Sequence, residues 1–264
     1  MKITIRYYSG AGNTRYINKK IVECFNHKGH MVKGEKISVV SNTNGVNEDF
    51  NMLGIGFPIY FREAPELVYD LVGKMDGKNR PIFFFVTKGM YSGNAVRNMM
   101  RFSLAQNFTP VGAIEFFMPG TDFLMLFAKQ DSPTERLLKK IHSNNIDERL
   151  DHFVDNLLGK SSAEIPDRKW YSGFDDFVVK RLETIYDNQH KDCIGQFYSN
   201  PDTCNGCMKC VNSCPRKNII LNDHIKFGDD CDVCFKCIHN CPTESIQIGT
   251  ITKGNARYRK VELL

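Results

Sequence analysis

Ile3-Thr4-Ile5-Arg6-Tyr7-Tyr8-Ser9-Gly10-Ala11-Gly12-Asn13-Thr14 passes from a β-rich run through a loop of small residues into a helical pattern. Such a loop forms an anion site, because free backbone amides and the positive end of the helix dipole converge on it. A phosphate is the expected guest. A Walker loop needs a Gly-Lys-Ser/Thr ending, and no lysine occupies that place. The dinucleotide fingerprint is weakened because its third glycine would fall at Arg15.

Outward from this stretch, residues 1–158 alternate β-rich runs with helical periodicity, the pattern of βαβ units around a parallel sheet. Strands are expected at Ile3–Tyr8, Met31–Ile37, Met52–Phe57, Pro81–Thr87 and Val111–Phe117. Helices are expected at Thr14–His27, Pro65–Val72, Asn94–Gln106 and Pro133–Leu158, the last broken near Asn144-Asn145. The apolar face of the first helix runs through Ile17, Ile21, Cys24 and Phe25, so Cys24 reads as a small core residue. Met118–Ala128 is unusually apolar for a connection; its alternatives are burial beneath the carboxyl-terminal domain, the edge of a bound cofactor, a substrate pocket or a dimer contact.

Ser9, Ala11, Gly12, Asn13 and Thr14 resemble the flavodoxin phosphate loop Ser/Thr-x-Thr/Ala-Gly-Asn-Thr. Two more loops follow the third and fourth strands, at the carboxyl ends where an open α/β sheet binds ligands. Gly56-Phe57-Pro58-Ile59-Tyr60 resembles the family's Gly-x-Pro-x-aromatic loop, and Thr87-Lys88-Gly89-Met90-Tyr91-Ser92-Gly93 resembles the loop at the flavin's pyrimidine edge. The resemblance implies a doubly wound five-stranded parallel sheet of order 2-1-3-4-5 that binds FMN. Its implied binding residues are Ser9, Gly10, Ala11, Gly12, Asn13, Thr14, Pro58, Ile59, Tyr60, Thr87, Lys88, Gly89, Tyr91 and Gly93. Tyr60 would stack on the isoalloxazine, with Tyr91 a second aromatic; capping of the sheet by these rings is the alternative. Flavodoxins are acidic, whereas residues 1–160 here carry 21 Lys+Arg against 16 Asp+Glu. Arg62 and Lys88 lie in the flavin loops, and cations facing the ring would raise its potential.

Gly159–Asp167 is polar, aperiodic and helix-breaking, so residues 159–192 read as a linker plus a connecting amphipathic helix with Phe174, Phe177, Val178, Leu182, Ile185 and Tyr186 on one stripe. Beyond it, Cys204-x2-Cys207-x2-Cys210-x3-Cys214-Pro215 recurs 27 positions later as Cys231-x2-Cys234-x2-Cys237-x3-Cys241-Pro242. Ile219 and Leu221 match Ile246 and Ile248 at the same offset, so two copies of one unit are present. Eight of the ten cysteines fall in this region; with Cys24, Cys193 is left over as structural. Clustered thiols point to metal, and paired zinc sites are the alternative to iron-sulfur, although zinc ribbons offer C-x2-C pairs rather than triplets.

The pattern resembles bacterial ferredoxins with two [4Fe-4S] clusters, in which the fourth cysteine of each run ligates the other cluster. The resemblance implies one cluster on Cys204, Cys207, Cys210 and Cys241, and a second on Cys231, Cys234, Cys237 and Cys214. The ferredoxin domain is expected at 193–252, a small α+β fold, with a tail at 253–264. The whole chain resembles a family that fuses a flavodoxin-like domain to such a ferredoxin. That implies an electron carrier between clusters and FMN, working with a low-potential redox donor or acceptor protein. A flavin-dependent reductase of a small molecule, or a redox sensor with an empty flavodoxin domain, are the alternatives.

The chain has 264 residues, with 42% hydrophobic and 25% charged residues, which excludes disorder. No run approaches the ~20 apolar residues of a membrane helix, and the amino terminus shows no secretory pattern, so a cytoplasmic protein without a membrane partner is expected. Lysines and arginines are dispersed and Trp170 is the lone tryptophan, against nucleic-acid binding. The formal charge of +5 treats the thiols as neutral. Two oxidised clusters on thiolates, each about −2, reduce it to about +1, so the basic balance partly offsets the chain's own cofactors.

Overall fold

The computed structural model describes residues 1–40, 49–60, 62–89, 92–167 and 192–258. Tyr91, Trp170 and the expected amphipathic helix with its stripe from Phe174 to Tyr186 lie outside the described residues. Two compact units are present. The first joins Met1–Pro119 to the segment from Ile141; the second joins Gly120–Lys140 to the carboxyl-terminal part.

The first unit is built on β1 (Lys2–Tyr7), β2 (Met31–Lys36), β3 (Met52–Pro58), β4 (Pro81–Lys88) and β5 (Thr109–Phe117), all parallel, in the order β2-β1-β3-β4-β5. This is the expected flavodoxin-like topology. The central strands β3 and β4 are buried almost throughout, as strands covered on both faces must be. Helices α1 (Asn13–His27), α2 (Glu66–Gly73) and α3 (Ala95–Ala105) connect successive strands. Ile17, Ile21 and Phe25 of α1 join Phe83, Phe85 and Val111 in one core cluster, while Ile82, Phe84 and Val86 point the other way and are equally buried. Gly54 and Gly56 face Phe83 and Phe85 across the β3–β4 register. A Cβ at Gly54 would lie 2.4 Å from the Phe83 ring, and one at Gly56 2.1 Å from that of Phe85. The missing side chains make room for the rings.

Met118–Ala128 is not an irregular connection: α4 (Thr121–Phe127) occupies most of it. The expected helix at Pro133–Leu158 is two, α5 (Pro133–Lys139) and α6 (Ile146–Leu158), with Asn145 left-handed at the break. Ser132 caps α5 by accepting from the Glu135 amide at 3.2 Å, and Glu135 reaches back to the Asp131 amide, a reciprocal capping box. Leu150, Val154 and Leu157 of α6 complete the core cluster of the first unit.

The second unit contains β6 (Phe197–Ser199), α7 (Lys209–Ser213), β7 (Ile219–Leu221), β8 (Ile225–Phe227), α8 (Lys236–Asn240) and β9 (Ile246–Ile248). β6 pairs antiparallel with β9, and β7 with β8. Segment 120–140 belongs here through backbone bonds to the tail: Ala256 donates to the Ala128 carbonyl and Gln130 to that of Gly254, while Asn255 Nδ2 donates to Met125 O at 2.8 Å. Among the described residues no helix is long and apolar enough to cross a membrane.

Candidate functional site

The 27-residue repeat extends into the backbone. Gly206, Met208 and Lys217 have positive φ, and so do Val233, Phe235 and Glu244, each 27 positions on. Left-handed residues beside right-handed ones turn successive amides to one side, a concavity suited to anionic sulfur. Met208 and Phe235 precede α7 and α8, which end at Cys214 and Cys241 in extended conformation. Pro215 and Pro242 follow, and neither can continue a helix.

Cys204, Cys207 and Cys210 line one small pocket, and the fourth cysteine on its wall is Cys241, from the other run. Met208, Ile225, Pro242 and Ile246 add apolar lining. The remaining four gather separately. Burial pushes the Cys237 thiol well up, and nearby Cys234, Cys231 and Cys214 push it further. Cys231 is pushed up to about 12 by burial, with Cys234 and Cys214 adding to it. At Cys241 burial also raises the pKa, but the Ile246 amide, the Thr243 hydroxyl and the Ser245 and Thr243 amides outweigh it and lower the value. Amide donors reach Cys231 Sγ from Val233 at 3.3 Å and Cys214 Sγ from Asn218 at 3.4 Å. Two separate groups of four cysteines, each containing one from the other run and with amides aimed at sulfur, suit iron-sulfur ligation.

One support of these loops was not evident from the sequence. Arg216, two residues past Cys214, donates through Nε and Nη2 to Asp232 Oδ1 at 3.0 and 2.8 Å, and both side chains are about nine-tenths buried. Asp232 adjoins Cys231, so the pair ties the segment after Cys214 to the second cysteine run. A buried pair of this kind is worth little if both charges go together, but costs several kcal/mol (about 3–5) when one partner is removed.

In the first unit the three expected flavin loops meet. Thr14 Oγ1 and Thr87 Oγ1 hydrogen-bond at 2.8 Å, joining the first loop to the third. The Ile59 amide donates to the Thr87 carbonyl at 2.9 Å, joining the second to the third. Ser9 Oγ accepts from the Arg15 amide at 3.3 Å, and Asn13 Nδ2 donates to Pro119 O at 3.1 Å. The amides of Gly10, Ala11 and Gly12 meet no acceptor among the described residues, which fits an anion there. Pro58 is buried, Gly89 is half-buried, and Tyr60 is half-buried, edge-on to Tyr8 at 6.2 Å. Gly93 has φ 54°, and a Cβ there would lie 2.8 Å from the Arg62 carbonyl oxygen. The glycine is therefore required by both conformation and space.

Lys88 departs from the expectation of a cation facing a ligand. Its ammonium is paired with Glu115 of β5 and stands 4.8 Å from the centre of the Phe117 ring. Ser92 Oγ donates to the same carboxylate at 2.9 Å, so Glu115 holds both ends of the third loop. Glu63 does the same for the second: it accepts from Tyr69 OH at 2.9 Å, Asn98 Nδ2 at 2.7 Å and the Ala64 amide at 3.0 Å, while its backbone pairs with that of Tyr60. Burial, then Glu63, raises the Tyr69 phenol, which stays a donor. Neither carboxylate belongs to a recognised loop pattern, and both act across long sequence separations.

Residues 196–242 match the family of 4Fe-4S dicluster domains. No curated protein matches the chain. Among solved structures it is similar to a Streptococcus pneumoniae TIGR4 flavodoxin, with 13% identity over 60% of this chain and 98% of that one at a TM-score of 0.45. It is also similar to Megasphaera elsdenii flavodoxin, with 21% identity over 43% and 85% at 0.35. A flavodoxin from the domain Archaea shows 18% identity over 58% and 100% at 0.36. Residues 196–242 thus match a 4Fe-4S dicluster domain, and they follow a unit built on a five-stranded parallel sheet of order β2-β1-β3-β4-β5.

Proposed function

We propose that the protein transfers low-potential electrons between two [4Fe-4S] clusters and FMN. The observation that carries this is the crossing of the cysteine runs, with Cys241 on the wall formed by Cys204, Cys207 and Cys210. Cys231, Cys234, Cys237 and Cys214 form the second ligand set. The clusters supply single-electron transfer near or below about −0.4 V, and FMN takes up one electron or two.

The chain's own residues supply binding and tuning. Gly10, Ala11 and Gly12 amides with the hydroxyls of Ser9 and Thr14 bind the phosphate, and Tyr60 offers a face to the isoalloxazine. Amides of Val233 and Asn218 aimed at Cys231 and Cys214 stabilise thiolate charge and so favour the reduced cluster. Covalent fusion keeps the two redox units at high effective concentration. The external partner is a low-potential redox protein.

Anaerobic reductive titration tests this reading. About four electrons per chain are expected, one for each cluster and two for the flavin. An endpoint of about two, with no bleaching of flavin, would contradict FMN as a participant.

The Lys88–Glu115 pair leads to a second expectation. Glu115→Gln leaves the lysine uncompensated and removes a negative charge, so the FMN midpoint should rise by on the order of 50 mV, about 1 kcal/mol for a charge near the surface. Lys88→Ala added to it should restore most of the shift. Potentiometric titration of the flavin band decides, and an unchanged midpoint in Glu115→Gln would show that the pair does not sense the ring.

A further inference from the structure

The two cysteine runs share a backbone but not an environment. Asn205, Gly206, Cys207, Met208 and Lys209 are all exposed, with Met208 at 40%. At the matching places of the second run, Val233 is 0% exposed, Cys234 9% and Phe235 6%. The cause is in the sequence. Gly206 and Met208 stand where the second run has Val233 and Phe235, and Phe235 stacks on Phe197 at 6.5 Å with an interplanar angle of 19°. Phe197 in turn packs on Phe227 at 5.7 Å. No aromatic of this kind draws the first run inward.

The exposed loop is nonetheless held in shape. Asn205 Oδ1 accepts from the Cys207 amide at 3.3 Å, and the Asn212 amide donates to the Met208 carbonyl at 2.9 Å. Gly206 has positive φ, and a Cβ there would meet nothing within 4 Å, so the loop presents bare, open backbone at this point. Met208 adds a flexible apolar contact beside it, the residue type that adapts to more than one surface.

We propose that the loop Asn205–Lys209 is the electron port of the protein, where a one-electron carrier protein docks over the ligand set Cys204, Cys207, Cys210 and Cys241. The set Cys231, Cys234, Cys237 and Cys214 is the shielded station, which the carrier reaches only by way of the first set. This rests on the cluster assignment proposed above. The exchange is a single electron: the carrier is oxidised as the first cluster is reduced, or the reverse, and no bond is made or broken.

Two measurements on the loaded protein test the port. In the first, anaerobic iron release to the chelator bathophenanthroline disulfonate should be biphasic, with about half of the iron leaving fast. In the second, Gly206→Val/Met208→Phe transplants the residues of the shielded run. Normalised to the iron it retains, it should slow the second-order reduction of the protein by a dithionite-reduced bacterial ferredoxin by about tenfold, within the range that interface changes produce in association rates. It should also slow the fast iron phase. A single release phase, or a variant that keeps about eight irons and accepts electrons from the ferredoxin at the native rate, overturns the port. A native protein with no iron-sulfur cluster would instead overturn the assignment beneath it.

Discussion

Cys241→Ser is expected to reduce the iron content from about eight to about four per chain, and the cluster lost is the one whose other ligands lie in the first run. The assignment follows from the cavity that Cys241 shares with Cys204, Cys207 and Cys210. Double substitution makes the crossing measurable, because changes at one site should not add while changes at separate sites should. Cys241→Ser/Cys207→Ser should keep about four irons, since both remove ligands of one cluster. Cys241→Ser/Cys234→Ser should keep close to none. Uncrossed ligation predicts the opposite pair of results, so iron analysis and electron paramagnetic resonance of the reduced variants decide between them.

The second large effect is in the sheet. Gly56→Ala would place a methyl group 2.1 Å from the Phe85 ring, and Gly54→Ala one 2.4 Å from Phe83. Both rings are fully buried, so neither can swing into solvent. Each substitution should cost about 1–3 kcal/mol, lowering the thermal midpoint of the loaded protein by about 2–10 °C. Gly159→Ala is the control: nothing lies within 4 Å of its added methyl, and its φ is negative. It should leave the midpoint unchanged within a degree or so (~0.5 kcal/mol). Thermal unfolding followed by circular dichroism gives the comparison. A Gly56→Ala midpoint equal to that of Gly159→Ala would mean the ring is not held over the glycine.

What the sequence disclosed was local. Strands β1 to β5 could be read because runs such as Ile3–Tyr8, Met52–Phe57 and Pro81–Thr87 are β-rich and bounded by loop residues, and the order of the sheet came with the resemblance carried by Ser9–Thr14. The break in Pro133–Leu158 was legible in Asn144-Asn145, since asparagine tolerates the left-handed conformation adopted by Asn145. Helix α4 was not legible: Phe123–Ala128 is apolar at every position, so no period distinguishes helix from loop over so short a run. The glycines at 54 and 56 read as strand residues, but the rings that require them are almost thirty positions away.

The charged supports escaped for the same reason. Lys88 and Glu115 come together because Lys88 pairs with Phe117 and Val86 with Glu115 in the β4–β5 register, which no single run of sequence contains. The lysine of the third loop is paired in the fold with a carboxylate of the neighbouring strand. Arg216 and Asp232 meet only because the two cysteine runs interleave. The thiol pattern was the opposite case: the repeat of the two cysteine runs is visible in the sequence, and its 27-residue offset extends to three pairs of left-handed backbone positions.

The central claim, that one chain carries two clusters on crossed thiol sets together with FMN, is tested most directly by metal, sulfide and flavin analysis of protein purified under strict anaerobiosis. About eight iron, about eight acid-labile sulfide and about one FMN per chain are predicted. Zinc without sulfide, iron near four, or clusters without flavin would contradict it.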